Sequence, residues 1–336
     1  MNDFSQLGFE NSHYEHTLRI REKAEIRKVA KYIAIAYLLT IVIPEVLTYF
    51  IFDLASAYSS LKVITKIFTD PMLSLFYQIV LSAVIFTLPF LVVPMRLGLR
   101  LSDLVLVKRP KKGLILPLVL MGLGFSAFAN LAANTITDIL GGFGIEMYNP
   151  TYASSKTPFE FILTFIAVGI TPAIVEEFAF RGVVLGVLRR FGDGFAIFVS
   201  SLVFGIMHRN FAQMPFAFLV GIIMAFAVIK SGSIITSVLI HLLNNGISVI
   251  ISTATEGMGN DMAVTVIYAL YFAVCLIFFF MGLGLLSGQG KEFWQPNRTE
   301  HTLTTRQRVN CFFSQPIMIL NLVLSLLTAL TLIIIV

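Results

Sequence analysis

Long apolar runs alternate with short polar connections along most of this chain. Most runs reach about 20 residues, the length that an α-helix needs to cross the hydrocarbon core of a bilayer. The pattern predicts nine membrane-spanning helices, of which the fifth and sixth are short. They cover residues 31–52, 73–95, 114–139, 160–188, 195–209, 214–229, 233–252, 263–286 and 316–336.

Composition supports a membrane protein built from helices. The chain has 336 residues, of which 57% are hydrophobic and only 13% are charged, and its mean hydropathy is +0.86. A water-facing surface of this length needs far more charge. Strands of a membrane barrel alternate apolar and polar residues, and these runs do not. We therefore expect an all-α, polytopic transmembrane helical bundle with about eight to nine transmembrane helices.

The apolar runs divide the chain into four regions. A polar N-terminal segment covers residues 1–30, and N-terminal transmembrane helices cover 31–150. A central core, 155–255, holds most of the ionisable residues that lie inside apolar runs. C-terminal transmembrane helices cover 256–336 and include a polar loop at 287–315.

Basic residues are concentrated on alternate connections, which predicts an orientation. RIREKAEIRK precedes the first span, and Lys or Arg residues follow the second, fourth, sixth and eighth spans. The positive-inside rule then places the N-terminus and loop 287–315 in the cytoplasm and the C-terminus outside. A multi-pass protein of the plasma membrane is expected, with the lipid bilayer as its partner. Topology accounts for the net charge of +5, so no nucleic acid partner is indicated. We expect Cys275 and Cys311 to be ordinary free thiols.

Three charges inside the fourth span require an explanation. The stretch TPAIVEEFAFRG contains Glu176, Glu177 and Arg181. Each charge near the bilayer centre opposes insertion by about 2.5–3.5 kcal/mol on insertion scales. Glu177 and Arg181 are four residues apart, so they share a helix face and can pair. Glu176 is turned by about 100° and must find its partner on another span.

Two other spans carry ionisable or amide side chains at a similar depth. His208 lies near the end of the fifth span, and His241 and Asn245 share one face of the seventh. Counted from the predicted cytoplasmic boundary, Glu177, His208 and His241 lie 12, 14 and 11 residues deep. We therefore predict that these side chains meet in one site. Glu45 is isolated in the first span and is interpreted as a packing residue, whereas Asn134 and Asp138 are placed near the outer interface.

This set of side chains suits the hydrolysis of an amide bond. A carboxylate can take a proton from water while an imidazole orients that water. A second histidine and an asparagine amide can stabilise the resulting oxyanion. Alternatively, Glu176, His208 and His241 could hold a divalent metal such as zinc, with water as a further ligand. The chain lacks the HExxH and GxSxG motifs, so a zincin helix or a serine nucleophile is not supported.

Three short motifs also carry a family resemblance. EEFAFR, FGIMH and HLLNN follow one another within about 70 residues. This ordered set resembles the CPBP family (CAAX proteases and bacteriocin-processing enzymes, also called Abi proteins) over residues 155–255. The resemblance implies an intramembrane endopeptidase, either glutamic or metal-dependent, whose site opens towards the cytoplasm.

The resemblance also implies roles for single residues. Glu176 would activate water with His208, and His241 and Asn245 would stabilise the oxyanion. Glu177 and Arg181 would position Glu176, and Phe204 would pack near the site. The substrate would be a peptide or a membrane protein.

Two other classes of function remain open from the residues themselves. Intramembrane Glu, Arg and His also occur in the proton relays of transporters. A family-like fold can also serve as a non-catalytic scaffold or immunity protein. Loss of cleavage on substitution of Glu176 distinguishes the protease from both.

Overall fold

The computed structural model describes residues 3–58, 64–147, 157–297 and 301–335, and these are almost entirely helical. Two three-residue strands, β1 (Ile145–Met147) and β2 (Ile333–Ile335), pair with each other. The α-helices in chain order are α1 (Asp3–Ala57), α2 (Lys66–Thr69), α3 (Pro71–Leu97), α4 (Leu101–Leu104), α5 (Ile115–Gly141), α6 (Pro158–Thr164), α7 (Thr171–Glu177), α8 (Leu185–Leu188), α9 (Asp193–Met207), α10 (Met214–Ser231), α11 (Ile234–Thr255), α12 (Asp261–Leu286), α13 (Lys291–Trp294), α14 (Thr305–Phe313) and α15 (Pro316–Thr331). The predicted all-α bundle is confirmed.

Within the described ranges, seven helices are long and apolar enough to cross a membrane. An eighth span exists if α14 and α15, which are bent by 76° relative to each other, are counted as one. The predicted fifth span corresponds to α9, which is apolar but has only 15 residues. The first span is longer than expected, because α1 is helical from Asp3 and includes most of the polar N-terminal segment.

The fourth span is one continuous helix, Pro158–Phe191, which we call the composite helix. It contains α6, α7 and α8 joined by two π-helical segments, Phe165–Ile170 and Phe178–Val184, and it ends in a 3₁₀ turn. Its start is encoded locally: Thr157 and Glu160 form a capping box, and Pro158 occupies the first turn, where no N–H is needed.

One face of the bundle is tied together by hydrogen bonds between its connections. We call it the basic face, since it carries Lys108, Lys111, Arg189, Lys230 and Arg308. The backbone N–H of Lys111 donates to Ser231 O, and Ser233 Oγ donates to Lys108 O. The Arg308 side chain donates to Phe191 O, and Lys230 Nζ donates to Gln295 O. These contacts bring the predicted cytoplasmic connections to the same side of the molecule.

The other side, called the opposite face, carries the ends of α1, α5 and α11 and the start of α12. Strand β1 follows α5, strand β2 follows α15, and the two pair antiparallel, with Glu146 aligned with Ile334. This pairing places the end of α5 and the end of α15 on one side, as the alternation of spans predicts.

Close packing of α5 against α12 depends on two glycines. A Cβ at Gly124 would lie 2.5 Å from the Cys275 carbonyl oxygen, and one at Gly282 would lie 2.6 Å from the Met121 nitrogen. Small residues let helix backbones approach closely inside a bilayer, where hydrophobic burial does not drive association. The contact fixes two walls of the cavity described below.

Candidate active site

The backbone departs from α-helix on both sides of the acidic pair. In the first π segment the Thr171 N–H bonds the Ile166 carbonyl, and in the second the Leu185 N–H bonds the Phe180 carbonyl, each five residues back. Pro172 contributes to the first departure, because it has no N–H to donate to the Val168 carbonyl in an α-helical turn. Such π segments are frequent at functional sites. Glu176 and Glu177 therefore lie on a short α-helical stretch, α7, framed by two changes of helical register.

Glu177 and Arg181 form a buried ion pair that also binds a histidine. Arg181 Nη1 donates to Glu177 Oε1 at 2.8 Å, and the two side chains are 1% and 0% exposed. His241 Nδ1 lies 2.9 Å from the same carboxylate oxygen. A carboxylate oxygen accepts, so Nδ1 of His241 carries a proton and its Nε2 points away from Glu177. The predicted pairing of Glu177 with Arg181 is present, and Glu177 additionally orients His241.

Phe204 packs at the centre of this cluster. The Arg181 guanidinium carbon lies 4.1 Å from the centre of the Phe204 ring, a cation–π contact. The ring also contacts His208 and His241 edge to face, with centroids 5.1 and 6.2 Å apart. Phe204 thus fixes the positions of both imidazoles relative to the arginine.

His208 is oriented by its own helix. Its Nδ1 lies 2.9 Å from the Phe204 carbonyl oxygen, one turn earlier in α9. A carbonyl only accepts, so Nδ1 carries a proton, and Nε2 of the neutral ring has a free lone pair. This tautomer allows Nε2 to accept a hydrogen bond from water or from a substrate group.

Asn245 is held by two contacts. Its Nδ2 donates to Val168 O at 3.0 Å, and its Oδ1 accepts from Asn244 Nδ2 at 3.1 Å. The Val168 carbonyl is the one that Pro172 leaves without an α-helical donor, so α11 supplies a donor to the first π segment. One N–H of the Asn245 amide remains for a ligand.

A cavity of about 770 Å³ brings the predicted residues from three helices together. Glu176, His208, His241 and Asn245 line it. Glu176 is half-buried, whereas Glu177 and Arg181 are enclosed behind the cavity wall. The carboxylate without a partner on its own helix therefore faces the shared space, and the ion-paired carboxylate does not.

Comparisons with known proteins agree on one family. Residues 158–247 match the family model described as type II CAAX prenyl endopeptidase, Rce1-like. The membrane-embedded CAAX protease MroQ of Staphylococcus aureus (strain USA300) is 29% identical over 152 residues. This match covers 43% of the chain and spans 60% of that relative's length. No solved structure matches the chain.

Residues 158–247 are called the CPBP domain below, because they resemble that family.

The matched region of the CPBP domain contains every residue that sequence analysis selected. It extends from α6 to α11, and it includes both π segments and the α9–α10 hairpin. Sequence analysis missed Asn244, which lines the cavity and is 5% exposed. The sequence HLLNN, with two adjacent asparagines, was the signal that could have pointed to Asn244. It also missed the two π segments, and Pro172 is the local signal for the first of them.

The three predicted metal ligands, Glu176, His208 and His241, line one cavity. Across the described parts of the chain, no three His, Cys, Asp or Glu side chains come together in a way that could hold a metal ion. Nδ1 of His241 is directed at Glu177 and Nδ1 of His208 at Phe204 O, so Nε2 of each ring is not used in these contacts. Metal-binding histidines commonly bond a carboxylate or a carbonyl through their other nitrogen in the same way. Metal dependence stays a prediction, to be checked by elemental analysis of the purified protein.

Proposed function

We propose that this chain is an intramembrane endopeptidase that hydrolyses peptide bonds with water activated by Glu176 and His208. The observation that carries the proposal is the shared cavity, lined by Glu176, His208, His241 and Asn245 from three helices of the CPBP domain. The matching family model describes a CAAX endopeptidase and MroQ is a CAAX protease, which supports the proposal.

The first step assigns water activation to Glu176 and His208. The Glu176 carboxylate takes one proton from a water molecule, and the remaining hydroxide attacks the scissile carbonyl carbon. Nε2 of His208 accepts the water's other O–H as a hydrogen bond and so fixes its direction. When the C–N bond breaks, Glu176 returns the proton to the leaving amine, so the carboxylate is regenerated.

The second step concerns the oxyanion. The free N–H of the Asn245 amide and Nε2 of His241 both belong to side chains that line the cavity. For Nε2 to donate, the His241 ring must carry a proton on each nitrogen, and Glu177 accepts the hydrogen bond from Nδ1. Arg181 and Glu177 are thus positioning residues for His241.

The substrate we propose is a peptide segment of a membrane-associated protein or a membrane-inserted peptide. The cavity is large enough for several residues in extended conformation, since ligand sites commonly have volumes of about 300–1,000 Å³. Its walls combine apolar and aromatic side chains with polar ones, which include Gln213 and Asn244 in addition to the four site residues. The plasma membrane is the proposed location.

Substitution of the two water-activating residues tests the proposal. Glu176→Gln and His208→Ala should each lower the cleavage rate by about 10²–10⁴, the usual contribution of general acid–base catalysis. Glu177→Gln should lower it less, because the residue acts through His241. Cleavage of a membrane peptide by the purified protein in lipid vesicles measures all three.

Glu45→Gln is the matched control for Glu176→Gln, because Glu45 is a second glutamate inside an apolar span but lies outside the cavity. It should cleave like the parent. If Glu176→Gln and His208→Ala retained parental rates while folded, the proposal would be wrong. A scaffold would show no cleavage in any form, and a transporter would instead lose proton-coupled uptake.

A further inference from the structure

A second, smaller cleft lies along the α9–α10 hairpin, and we call it the hairpin cleft. Its volume is about 330 Å³, and it shares no lining residue with the cavity that holds Glu176 and His208. Ligand sites commonly have volumes of about 300–1,000 Å³, so the cleft has room for part of a lipid. Its apolar walls are Ile197 and Phe198 of α9, Ile222 and Phe226 of α10, and Trp294 and Pro296 at the end of α13.

The apolar walls run along the hairpin, inward from the basic face. Ile222, Phe226 and Lys230 recur every four residues, so they share one face of α10. Ile222 lies eight residues before Lys230, about 12 Å at 1.5 Å per residue. Phe198 and Trp294 are 39% and 40% exposed, so the cleft is open along its side to the surface of the bundle. A narrow apolar cleft of this shape fits the upper part of an acyl chain.

Lys230 forms the charged end of the hairpin cleft and is only 9% exposed. Its Nζ donates to Gln295 O at 2.8 Å and lies 5.5 and 5.6 Å from the ring centres of Phe226 and Phe293. An ammonium group has three donors, so two remain. Among the residues that the structure describes, no carboxylate forms an ion pair with Lys230. A buried charge without a counter-ion is costly, so an anion bound at this end would be stabilised.

Asp193, the carboxylate of the hairpin cleft, is already paired. Its Oδ1 accepts from Arg189 Nε at 2.9 Å, and its Oδ2 accepts from Asn297 Nδ2 at 3.0 Å. Both oxygens are therefore used, and the Asp193 charge is offset by Arg189. Lys111, bonded through its backbone to the residue after Lys230, adds an exposed ammonium on the same face. The charged end of the cleft thus has an excess of positive charge.

Trp294 places this end of the cleft at the level of the lipid headgroups. Its ring stacks on Phe226 with centroids 6.0 Å apart and contacts Phe293 edge to face at 5.2 Å. Tryptophan is enriched at membrane–water interfaces, where an amphipathic ring meets both apolar chains and polar headgroups. The cleft therefore offers a cation at headgroup level above an apolar path into the membrane.

We infer that the hairpin cleft binds one anionic phospholipid. Lys230 bonds the phosphate, and the acyl chain lies between α9 and α10. A net negative headgroup is selected over a zwitterionic one, because the cations around the cleft repel a headgroup ammonium. The site lies outside the proposed peptidase chemistry, and either orientation of the chain in a membrane brings the basic face against a lipid leaflet.

The fluorescence of Trp294 tests the site directly, because Trp294 is the only tryptophan of the chain. The purified full chain is reconstituted in phosphatidylcholine vesicles that contain increasing fractions of either brominated phosphatidylglycerol or brominated phosphatidylcholine. Bromine on an acyl chain quenches tryptophan emission at contact distance. Half-maximal quenching should need about fivefold less of the brominated phosphatidylglycerol, the preference expected from one basic residue near an anionic lipid.

Substitution of Lys230 separates the site from general surface charge. Lys230→Gln keeps a donor for Gln295 O but loses the charge, so the two brominated lipids should quench Trp294 equally. Lys230→Arg should keep the preference for phosphatidylglycerol. Lys112→Gln is the matched control, because it removes an exposed charge of the neighbouring loop outside the cleft. It should quench like the parent.

Equal quenching by the two lipids in the unsubstituted chain would overturn the inference, and this comparison needs no variant to fold. A parental preference in Lys230→Gln, or its loss in Lys112→Gln, would assign the preference to general surface charge and would also overturn it. Glycerol phosphate in the buffer should leave the quenching unchanged, because it has no acyl chain to fill the cleft. Full competition by glycerol phosphate would contradict a lipid site. None of these measurements requires cleavage.

Discussion

A single oxygen atom, Oε1 of Glu177, links Arg181, which lies behind the cavity wall, to His241, which lines the cavity. It accepts from Arg181 and lies within hydrogen-bonding distance of His241. The pair is fully enclosed, so removal of either partner leaves a charge without compensation in a low-dielectric environment. Breaking a buried pair in this way typically costs about 3–5 kcal/mol in soluble cores.

Arg181→Ala should therefore destabilise the fold by about that amount. The variant also loses the cation–π contact with Phe204. We expect low expression and a clearly lower thermal unfolding temperature in detergent. Arg189→Ala is the matched control, since Arg189 forms an i,i+4 pair with Asp193 but is 32% exposed. Asp193 keeps the hydrogen bond from the Asn297 amide, so the unfolding temperature of Arg189→Ala should fall less than that of Arg181→Ala.

A double substitution separates loss of charge pairing from loss of packing. Glu177→Leu combined with Arg181→Leu removes both charges, so it should be more stable than Arg181→Ala alone. Equal thermal stability of Arg181→Ala and the parent would contradict the buried-pair interpretation.

Sequence spacing was sufficient to predict part of this arrangement. The i,i+4 relation predicts the Glu177–Arg181 pair, and the matched depths of Glu177, His208 and His241 predict one shared site. The sequence did not predict that Glu177 also binds His241, or that Asn245 donates to Val168 O. Both contacts depend on the rotation of α11 against the composite helix, which sequence spacing within one helix does not specify.

At the scale of elements, the composite helix owes its shape to the two π segments around α7. Each π turn contains one extra residue, which rotates the following part of the helix by about 100°. Hydrophobic periodicity is too similar in α and π segments to reveal them. Pro172 marks the first one, because it has no N–H to donate to the Val168 carbonyl. The Asn245 amide of α11 donates a hydrogen bond to that carbonyl instead.

Pro172→Ala should restore a donor four residues after Val168 and favour regular α-helix. Glu176 would then rotate relative to the cavity, and cleavage should fall by at least about tenfold, since small misplacement of reacting groups is costly. Thermal stability should be unchanged or higher, because a helix-interrupting proline is removed. Measurements of the cleavage rate and of the unfolding temperature of the purified variant test these two expectations.

Pro158→Ala serves as the control, since Pro158 lies in the first turn of the composite helix and interrupts no such bond. It should keep parental activity. Parental activity in Pro172→Ala would show that the first π segment does not position Glu176.

At the scale of the whole molecule, Glu22 of α1 holds the segment after α13 against the basic face. Its Oε2 accepts from Thr302 N, Thr302 Oγ1 and Leu303 N at 2.9, 2.6 and 3.1 Å. Three donors to one carboxylate oxygen form a strong, charge-assisted cluster. The polar N-terminal part of the chain thus has a structural role that its composition alone did not predict.

Glu22→Ala should release residues 301–303 and expose the adjacent chain to protease. Limited trypsin digestion in detergent, followed by mass spectrometry of the fragments, should show faster cleavage at Arg306. Glu25→Ala, an exposed glutamate one turn further along α1, should digest like the parent. Identical digestion of the two variants would argue against the role assigned to Glu22.

The short α9 also determines how lipid meets the protein. A helix of about 22 Å beside a hydrocarbon core of about 30 Å creates a mismatch, which a bilayer relieves by becoming locally thinner. Phe198 of α9 is 39% exposed, so acyl chains contact this helix directly. We expect headgroups on that side to lie closer to the depth of Glu176 and His208. The proposed cleavage should therefore depend on acyl-chain length in reconstituted vesicles and be faster in short-chain lipids.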